Sequence, residues 1–317
     1  MSDVVVGVDG SVRSQEALDW ALVEAGSRGV PLTAVLAWEP SWTDGPRASE
    51  PADFSHLADL KQDQVLTLLD EARHRTGVDV VTHAEQVQGS AATALLARAE
   101  HSQMLVVGSR GLGRFGRLVL GSVSSAVVQG ATQVPVTVVR SVGEGTSDDG
   151  TGASAAGGPR RVVVGVDGSR TSVDALRHGL EVARRTGAVL DAVFCWQIVT
   201  LAPLPDSWGW TPPIDDYEKF AGEQLDRALE AAGVDLPDEQ VRRSVVHAHP
   251  AKGLIEASEG AERLVVGNRG TGGFDRLLLG SVSRQAVEYA TCPVTVVRRQ
   301  ADEPGTDEPG TDQLGTD

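Results

Sequence analysis

The stretch Gly108-Ser-Arg-Gly-Leu-Gly-Arg-Phe-Gly-Arg-Leu-Val-Leu-Gly-Ser122 decides the fold, because an apolar run leads into it and a helical pattern follows it. The same spacing of glycines returns half a chain later, from Gly267 to Ser281. Glycines at a strand exit let the backbone turn tightly and approach a ligand, since no Cβ intervenes. A Gly-Ser pair at a helix start presents free backbone N–H groups, which commonly bind phosphate. The repeated stretch therefore predicts two nucleotide-phosphate sites on one chain.

The repeat extends well beyond the glycines. Three further segments recur at an offset of 158 residues, and the glycine pattern itself recurs at 159, so the chain is a duplication with almost no net change in length. The matched segments are Val4–Ser11 with Val162–Ser169, Ala34–Trp38 with Ala192–Trp196, and Pro135–Arg140 with Pro293–Arg298.

Short β-branched runs alternate with longer amphipathic stretches within each copy. In the first copy we expect strands near 4–8, 32–38, 78–84, 104–108 and 135–140, and helices near 13–27, 54–76, 90–101 and 122–131. Ser90 and Ser122 stand where helix N-caps are expected. Val-rich strands joined by helices indicate a parallel sheet covered on both faces. Each half is thus predicted to be an independent, doubly wound α/β domain.

The composition suggests four parts. We expect an N-terminal domain over 1–141, a flexible linker over 142–159, a C-terminal domain over 160–299 and a disordered acidic tail over 300–317. The linker is rich in Gly, Ser, Thr, Ala and Asp, which is typical of flexible segments. The tail is polar and rich in Pro and Gly, so it buries too little apolar surface to fold.

The bulk properties narrow the class of protein. The 317-residue chain carries a formal net charge of −16, which argues against nucleic-acid or anionic-membrane binding. It has no apolar run long enough to span a membrane, and its first residues do not resemble a secretion signal, so we expect a cytoplasmic location. The cysteines Cys195 and Cys292 are far apart and show no metal-binding spacing.

On these motifs the chain resembles the universal stress protein family, in its tandem, ATP-binding form. Both halves satisfy the pattern G-x2-G-x9-G-[S/T], and the V-G-V-D-G-S strand exit and the closing P-V-x-V-V strand also match. The resemblance implies a Rossmann-like, five-stranded parallel sheet of order 3-2-1-4-5 in each half. It also implies that the ligand is ATP, bound with or without Mg²⁺.

That strand order brings two distant motifs together. Strands 1 and 4 are neighbours where the winding direction reverses, and ligands of open α/β sheets bind at such a switch point. Asp9 ends strand 1 and Gly108 ends strand 4, so both are expected to line one crevice.

The predicted cofactor-binding residues are the loop residues, the aspartates and the backbone at the end of strand 2. In the N-terminal half they are Asp9, Ala37, Gly108, Arg110, Gly111, Arg114, Gly121, Ser122 and Ser124; in the C-terminal half they are Asp167, Cys195, Gly267, Arg269, Gly270, Gly280, Ser281 and Ser283. The resemblance implies that each aspartate accepts hydrogen bonds from ribose or adenine. Two structural alternatives stay open: an Asx-turn at each Asp-Gly-Ser, and a plain glycine-rich connector followed by a capped helix.

The two loops differ in charge. Arg110, Arg114 and Arg117 give the first loop a local charge of +3, whereas Arg269, Arg276 and Asp275 leave the second with +1. Because guanidinium groups suit phosphate oxygens, we predict that the N-terminal site binds ATP more tightly, or with less need of Mg²⁺.

Aromatic and histidine residues offer weaker signals. Five tryptophans lie at or just after strand 2, where they either pin a loop to its own domain or form a lid or a subunit interface; they are Trp38, Trp42, Trp196, Trp208 and Trp210. His247 and His249 lie two apart, but without a third ligand they are weak evidence for zinc, and we predict no metal site.

The leading hypothesis for function is an ATP-binding regulatory or stress-response protein whose nucleotide alters its shape or its protein partners. A weak ATPase or nucleotidyl transferase is the alternative, although no Walker lysine or Ser-His-Asp set is present, so hydrolysis would be slow at most. A third option is a dimerising scaffold in which nucleotide is a structural ligand. The strands Pro135–Arg140 and Pro293–Arg298 are expected to pair, giving an intramolecular pseudo-dimer and allowing a further homodimer.

Overall fold

The computed structural model describes residues 2–40, 54–111, 120–131, 133–140, 159–197, 214–270 and 279–298. Within these residues, ten strands form a single sheet with helices on both faces. None of the helices in these ranges has the combination of length and hydropathy that a bilayer span requires.

The N-terminal half alternates strands and helices. Its elements in chain order are β1 (Val4–Gly7), α1 (Val12–Arg28), β2 (Leu32–Trp38), α2 (Ser55–Thr76), β3 (Thr82–Gln88), α3 (Ala91–Ala99), β4 (Met104–Gly108), α4 (Ser122–Gly130) and β5 (Val136–Val139).

The C-terminal half repeats this order. Its elements are β6 (Arg161–Val166), α5 (Arg170–Thr186), β7 (Val189–Trp196), α6 (Ile214–Ala232), β8 (Val241–His247), α7 (Pro250–Ala257), β9 (Arg263–Gly267), α8 (Ser281–Tyr289) and β10 (Val294–Val297).

The sheet order is β3-β2-β1-β4-β5-β10-β9-β6-β7-β8. The predicted order 3-2-1-4-5 is therefore confirmed in the first half, and the second half mirrors it. All pairs within a half are parallel, and the single junction between the halves, β5 with β10, is antiparallel. The predicted intramolecular pseudo-dimer is present, as one continuous sheet.

The two halves also share part of their core. One cluster of buried side chains beneath α3, α4, α7 and α8 includes Val128 and Val138 from the first half and Val287 and Val296 from the second. On the other face, each half keeps its own cluster under α1 and α2 or under α5 and α6. The expectation of two independent domains is thus corrected in one respect, because burial at the junction depends on both halves.

The first helix of each half begins and ends by the same local chemistry. Ser11 is the N-cap of α1, where its hydroxyl accepts a hydrogen bond from the Ser14 amide at 3.2 Å. Gly29 ends the helix with φ 65°, a left-handed conformation that glycine adopts without steric cost. Ser169 and Gly187 take the same places around α5. The serines fix where each helix leaves the switch-point edge of the sheet, and the glycines fix where it ends at the opposite edge.

Two sequence predictions need correction. Strand 3 was expected at 78–84 but is found at Thr82–Gln88, because Val78 and Val80 pack against α1 at Gly26 before the strand begins. The strand itself is polar, as suits an edge strand with one neighbour. Ser90 is the N-cap of α3 as predicted, whereas the N-cap of α4 is Gly121 and Ser122 is its first helical residue.

Candidate functional site

Asp9 and Gly111 meet where β1 and β4 end. The two strands pair in parallel with Val6 opposite Val106, so the residues that follow them leave the sheet at the same edge. A Cβ on Gly111 would collide with Oδ2 of Asp9, at a separation that real Cβ atoms essentially never show. The two motifs therefore meet at one edge of the sheet, as predicted, and their lining of a ligand crevice stays a prediction.

The Asx-turn alternative for Asp9 is also confirmed. Its Oδ1 atom accepts a hydrogen bond from the Ser11 amide at 2.9 Å, which shapes the entry to α1. The other oxygen, Oδ2, is the one that lies against Gly111. One carboxylate thus has a structural oxygen and a second oxygen that faces the loop after β4.

The C-terminal half reproduces this arrangement. Oδ1 of Asp167 accepts from the Ser169 amide at 3.0 Å, and a Cβ on Gly270 would collide with Oδ2 of Asp167. Since the same pair of contacts occurs at both switch points, the arrangement belongs to the duplicated unit.

Gly108 and Gly267 have a packing role that the sequence did not reveal. A Cβ on Gly108 would lie 2.7 Å from the carbonyl oxygen of Arg13, which is in the first turn of α1. On Gly267 it would lie 3.0 Å from the carbonyl of Thr171, the counterpart of Arg13. The missing side chain at these two glycines admits the backbone of a helix of the same half.

The start of α4 differs in detail from the prediction. The Gly121 amide, which we expected to be available to a ligand, donates to the Ser109 carbonyl at 2.8 Å. The first bond within the helix runs from the Ser125 amide to the Gly121 carbonyl, so the helix itself does not use the amides of residues 122–124. Donors for an anion at this helix start are thus the amides that follow Gly121.

Ser124 ties α4 to the end of β4. Its buried hydroxyl donates to the Gly108 carbonyl at 2.6 Å. In the second half Ser283 donates to Gly267 at 2.6 Å, and the Gly280 amide donates to the Asn268 carbonyl at 2.8 Å. Ser281, like Ser122, is the first residue of its helix. The strand exit and the helix start are therefore held together as one unit in both halves.

Arginines give the N-terminal crevice a positive charge. Burial lowers the pKa of Arg140, and the nearby charges of Arg110 and Arg13 lower it further, which indicates that these three cations are close enough to interact. Arg114, together with Arg117 and Arg276 of the charge comparison, lies outside the described residues. The predicted difference in loop charge therefore stays a prediction.

Arg269 gives the second crevice a group suited to an anion. Its Nε atom is buried and has no hydrogen-bond partner among the described residues. A buried donor without a partner carries a desolvation cost that a bound anion would relieve. The residues at this site therefore fit a phosphate group.

The ends of β2 and β7 lie next to these crevices. The Val8 amide donates to the Val35 carbonyl at 2.9 Å, so Ala37 is two residues beyond the level at which β1 ends. In the second half Cys195 is the counterpart of Ala37, and burial raises the pKa of its thiol to about 11. The predicted backbone contact with adenine at these positions stays a prediction.

Trp38 and Trp196, the two described tryptophans of the predicted set, are anchored to their own halves. Nε1 of Trp38 donates to Gln86 at 2.6 Å, and the ring meets Phe54 edge-on. Trp196 stacks on His247 with centroids 4.3 Å apart, and it also stacks on Tyr217. Both contact sets favour the anchoring interpretation over a lid for these two residues. Trp42, Trp208 and Trp210 lie outside the described residues.

His247 and His249 do not act together in this fold. His247 packs its ring on Trp196, whereas His249 is the N-cap of α7. In the described part of the chain, no three His, Cys, Asp or Glu side chains are grouped as metal ligands would be.

Sequence reasoning missed two pairs of residues at the crevices. Arg13 and Thr171 occupy equivalent places beside Gly108 and Gly267, and Oγ1 of Thr171 donates to the Arg269 carbonyl at 2.6 Å. Ser109 and Asn268 are buried and hold the following helix through their carbonyls. The available signal was weak: Ser109 and Asn268 directly follow a shared glycine, Arg13 and Thr171 come three residues after one, and both pairs differ between the halves.

Two doubly wound α/β units, each with an aspartate against a glycine at its switch point, define a tandem α/β protein. Residues 1–140 and 158–298 both match the Universal stress protein family. The chain belongs to that family, which assigns it a role in the stress response.

Relatives of similar length share this organisation. A universal stress protein of Mycolicibacterium smegmatis is 33% identical over 304 residues, which cover 93% of this chain and 96% of the relative. A universal stress protein of Mycobacterium tuberculosis strain H37Rv is 33% identical over 302 residues, with 93% and 97% covered.

Solved structures support the fold. A universal stress protein from Archaeoglobus fulgidus DSM 4304 superposes with a TM-score of 0.64 at 20% identity, covering 94% of this chain and 99% of that one. A functionally unknown protein from Pseudomonas aeruginosa PAO1 gives a TM-score of 0.57 at 16% identity, covering 94% and 92%.

Proposed function

We propose that the protein binds ATP in each of its two crevices and acts as a regulatory stress protein whose nucleotide state sets its shape or its partners. The observation that carries the proposal is the contact of Asp9 with Gly111, repeated by Asp167 with Gly270. An open α/β sheet binds ligands at this edge, and only a glycine lets the carboxylate approach the loop after the fourth strand so closely.

Each part of the nucleotide has a matching group. The second carboxylate oxygen of Asp9 or Asp167 accepts hydrogen bonds from a ribose hydroxyl or an adenine amine. The amides at the start of α4 and α8 favour phosphate oxygens, because a helix N-terminus carries partial positive charge. Arg110 and Arg269 add full positive charges, and Arg269 has a buried donor to satisfy. Mg²⁺, where present, would neutralise phosphate charge.

The N-terminal crevice is proposed to bind ATP more tightly. The first half has Arg13, whose guanidinium pairs with Glu16 at 3.3 Å, where the second half has the neutral Thr171. The second half has Arg170 where the first has Val12, which reduces this difference. The remaining excess of positive charge in the first loop comes from residues outside the described ranges, so it is a property of the sequence alone.

The first test is mass spectrometry of nucleotide released from the purified protein, followed by calorimetric titration with ATP. We expect two ATP molecules per chain. Asp9→Asn and Asp167→Asn should each remove one site, because asparagine keeps Oδ1 for the turn but replaces the ligand-facing oxygen with an NH₂ group. Asp70→Asn, on the exposed side of α2, is the matched control.

The same variants separate the three hypotheses. Binding that is unchanged in the double variant Asp9→Asn plus Asp167→Asn would contradict the proposed sites. Sustained ATP turnover that the double variant abolishes would favour an ATPase or a nucleotidyl transferase. ATP that raises the melting temperature without changing any partner interaction would favour the scaffold with a structural nucleotide.

A further inference from the structure

The strands that join the two halves cannot by themselves tell one half from the other. The segments Pro135–Arg140 and Pro293–Arg298 have identical sequences. At their centre, the hydroxyls of the equivalent residues Thr137 and Thr295 are 2.9 Å apart and buried. Two N-terminal halves, or two C-terminal halves, would find the same strand contacts.

The reciprocal contacts outside the strands are equally symmetric. Arg140 donates to the Glu288 carbonyl at the end of α8, at 2.5 Å, and Arg298 donates to the Gln129 carbonyl at the end of α4, at 2.7 Å. Each arginine thus caps the last helix of the other half, where a cation is favourable. This exchange also works between like halves.

A cluster of buried charged side chains lacks this symmetry between the halves. It lies on the other face of the sheet, the face covered by α1 and α5. Glu24 of α1 and Arg263 of β9 are each 3% exposed, and Nη2 of Arg263 donates to the Glu24 carboxylate at 2.6 Å. Burial raises the pKa of Glu24, but the charges of Arg263, Arg28 and Arg185 outweigh it and hold the pKa at about 2. This cluster crosses the junction between the halves.

The duplication supplies apolar residues at the counterpart positions. With an offset of 158 in the first helix and 159 in the fourth strand of each half, Glu24 corresponds to Val182 and Arg263 to Met104, and both counterparts are fully buried. In a pair of N-terminal halves, Glu24 would face Met104 and keep only Arg28 of its own helix. In a pair of C-terminal halves, Arg263 would face Val182 and keep only Glu262 of its own half, at 3.5 Å.

Arg185 adds a second barrier to like pairs. It lies across the junction from Ser27, with Nε 3.0 Å from Oγ, and these two residues are counterparts in the duplication. Two C-terminal halves would therefore oppose Arg185 to Arg185, which is repulsive. Burying an ion without its partner costs several kcal/mol.

We propose that the Glu24–Arg263–Arg185 cluster is a specificity determinant that makes this surface accept only the unlike half as its partner. The shared strand sequence provides the association, and the cluster restricts it to an N-terminal half with a C-terminal half. Without this restriction, like pairs between chains would link them into open polymers, since each chain carries two such surfaces.

The test uses the full chain with a protease site inserted between residues 141 and 158. The cleaved protein is unfolded in urea and refolded, so that partners are chosen afresh, and native mass spectrometry counts the pairs. We expect the unlike pair to dominate, with like pairs roughly tenfold or more below their random share. Like pairs at their random share would overturn the proposal.

Two variants test the cluster itself. The triple variant Glu24→Val, Arg263→Met and Arg185→Ser gives each of these positions the residue found at its counterpart in the other half. Like pairs should then approach their random share. Met104→Arg with Val182→Glu gives each half both charges, and N-terminal halves should then pair with each other. Refolded samples of both variants that still contain only unlike pairs would assign the selectivity elsewhere.

Discussion

The carboxylate of Asp9 lies against Gly111, and the space between them does not admit even a methyl group. The two residues are brought together by the pairing of β1 with β4. We therefore expect Gly111→Ala to displace Asp9 and remove one of two ATP sites, and Gly270→Ala to remove the other. Calorimetric stoichiometry measures the change from two to one. Gly222→Ala is the control, because nothing lies within 4 Å of its added Cβ; two intact sites in Gly111→Ala would contradict this geometry.

Gly108→Ala should destabilise the protein whether or not nucleotide is present. The new Cβ would lie 2.7 Å from the Arg13 carbonyl oxygen, and backbone cannot move aside as a flexible side chain does. Overpacking of this kind costs about 1–3 kcal/mol. Urea unfolding without nucleotide measures the loss, again against Gly222→Ala. A variant as stable as wild type would show that α1 can shift freely from β4.

Stability should fall as the pH drops from 7 to 5, because of His178. Burial, and then the charges of Arg28 and Arg263, lower the pKa of this histidine to about 3. Below an unfolded pKa of about 6.5 the unfolded chain binds a proton that the folded protein does not, which costs up to about 1.4 kcal/mol per pH unit. Urea unfolding across this range should show the slope in wild type and its loss in His178→Leu. A slope that survives in His178→Leu, or that disappears in the exposed control His83→Gln, would assign it to other groups.

Removal of one member of the buried ion pair should cost more than removal of both. Glu24→Val removes the 2.6 Å partner of the buried Arg263 and leaves it only Glu262 at 3.5 Å, so we expect a loss of about 3–5 kcal/mol. Adding Arg263→Met should recover much of it, since Val182 and Met104 already fill the counterpart positions. Because the folded pKa of Glu24 is about 2, its contribution is present above pH 4.5 and is lost as the pH falls towards 2. Additive losses in the double variant would mean that the two charges do not stabilise each other.

The hydroxyl pair at the centre of the junction should show the same coupling on a smaller scale. Thr137→Val leaves the buried Thr295 hydroxyl without this partner, which costs about 1–3 kcal/mol. The double variant Thr137→Val with Thr295→Val replaces both hydroxyls with methyl groups of similar shape and should lie closer to wild type. Thermal unfolding of the two single variants and the double variant measures the coupling, and a double variant worse than the sum of the singles would refute it.

Sequence patterns predicted most of the fold, but they misplaced strand 3, whose residues are polar. The apolar run of Val78 and Val80 predicts strand 3, yet it packs on α1, and the polar segment Thr82–Gln88 forms the strand. An edge strand has one neighbour and needs little apolar surface, so its hydrophobic signal is weak. The helix start at Gly121 was missed because Ser and Gly are both favoured N-caps.

The sequence predicted the residue types at the candidate site better than it predicted what each residue contacts. The sequence predicts that the backbone at Gly108 approaches the ligand closely, whereas the structure shows that it approaches the Arg13 carbonyl. The sequence also predicts that the Gly121 amide donates to phosphate, whereas this amide donates to the Ser109 carbonyl. A glycine signals that space is needed, but the sequence does not say what fills the space.

The sequence alone determined the duplication, the alternation of strands and helices, and the two glycine patterns, because these are periodic or local properties. Only the tertiary structure decided which residues meet: Asp9 with Gly111 at the switch point, and Glu24 with Arg263, which are 239 positions apart. The physical reason is that burial and pairing depend on the packing of distant elements. The motifs that the two halves share gave no sign of the Glu24–Arg263 cluster, in which the halves differ.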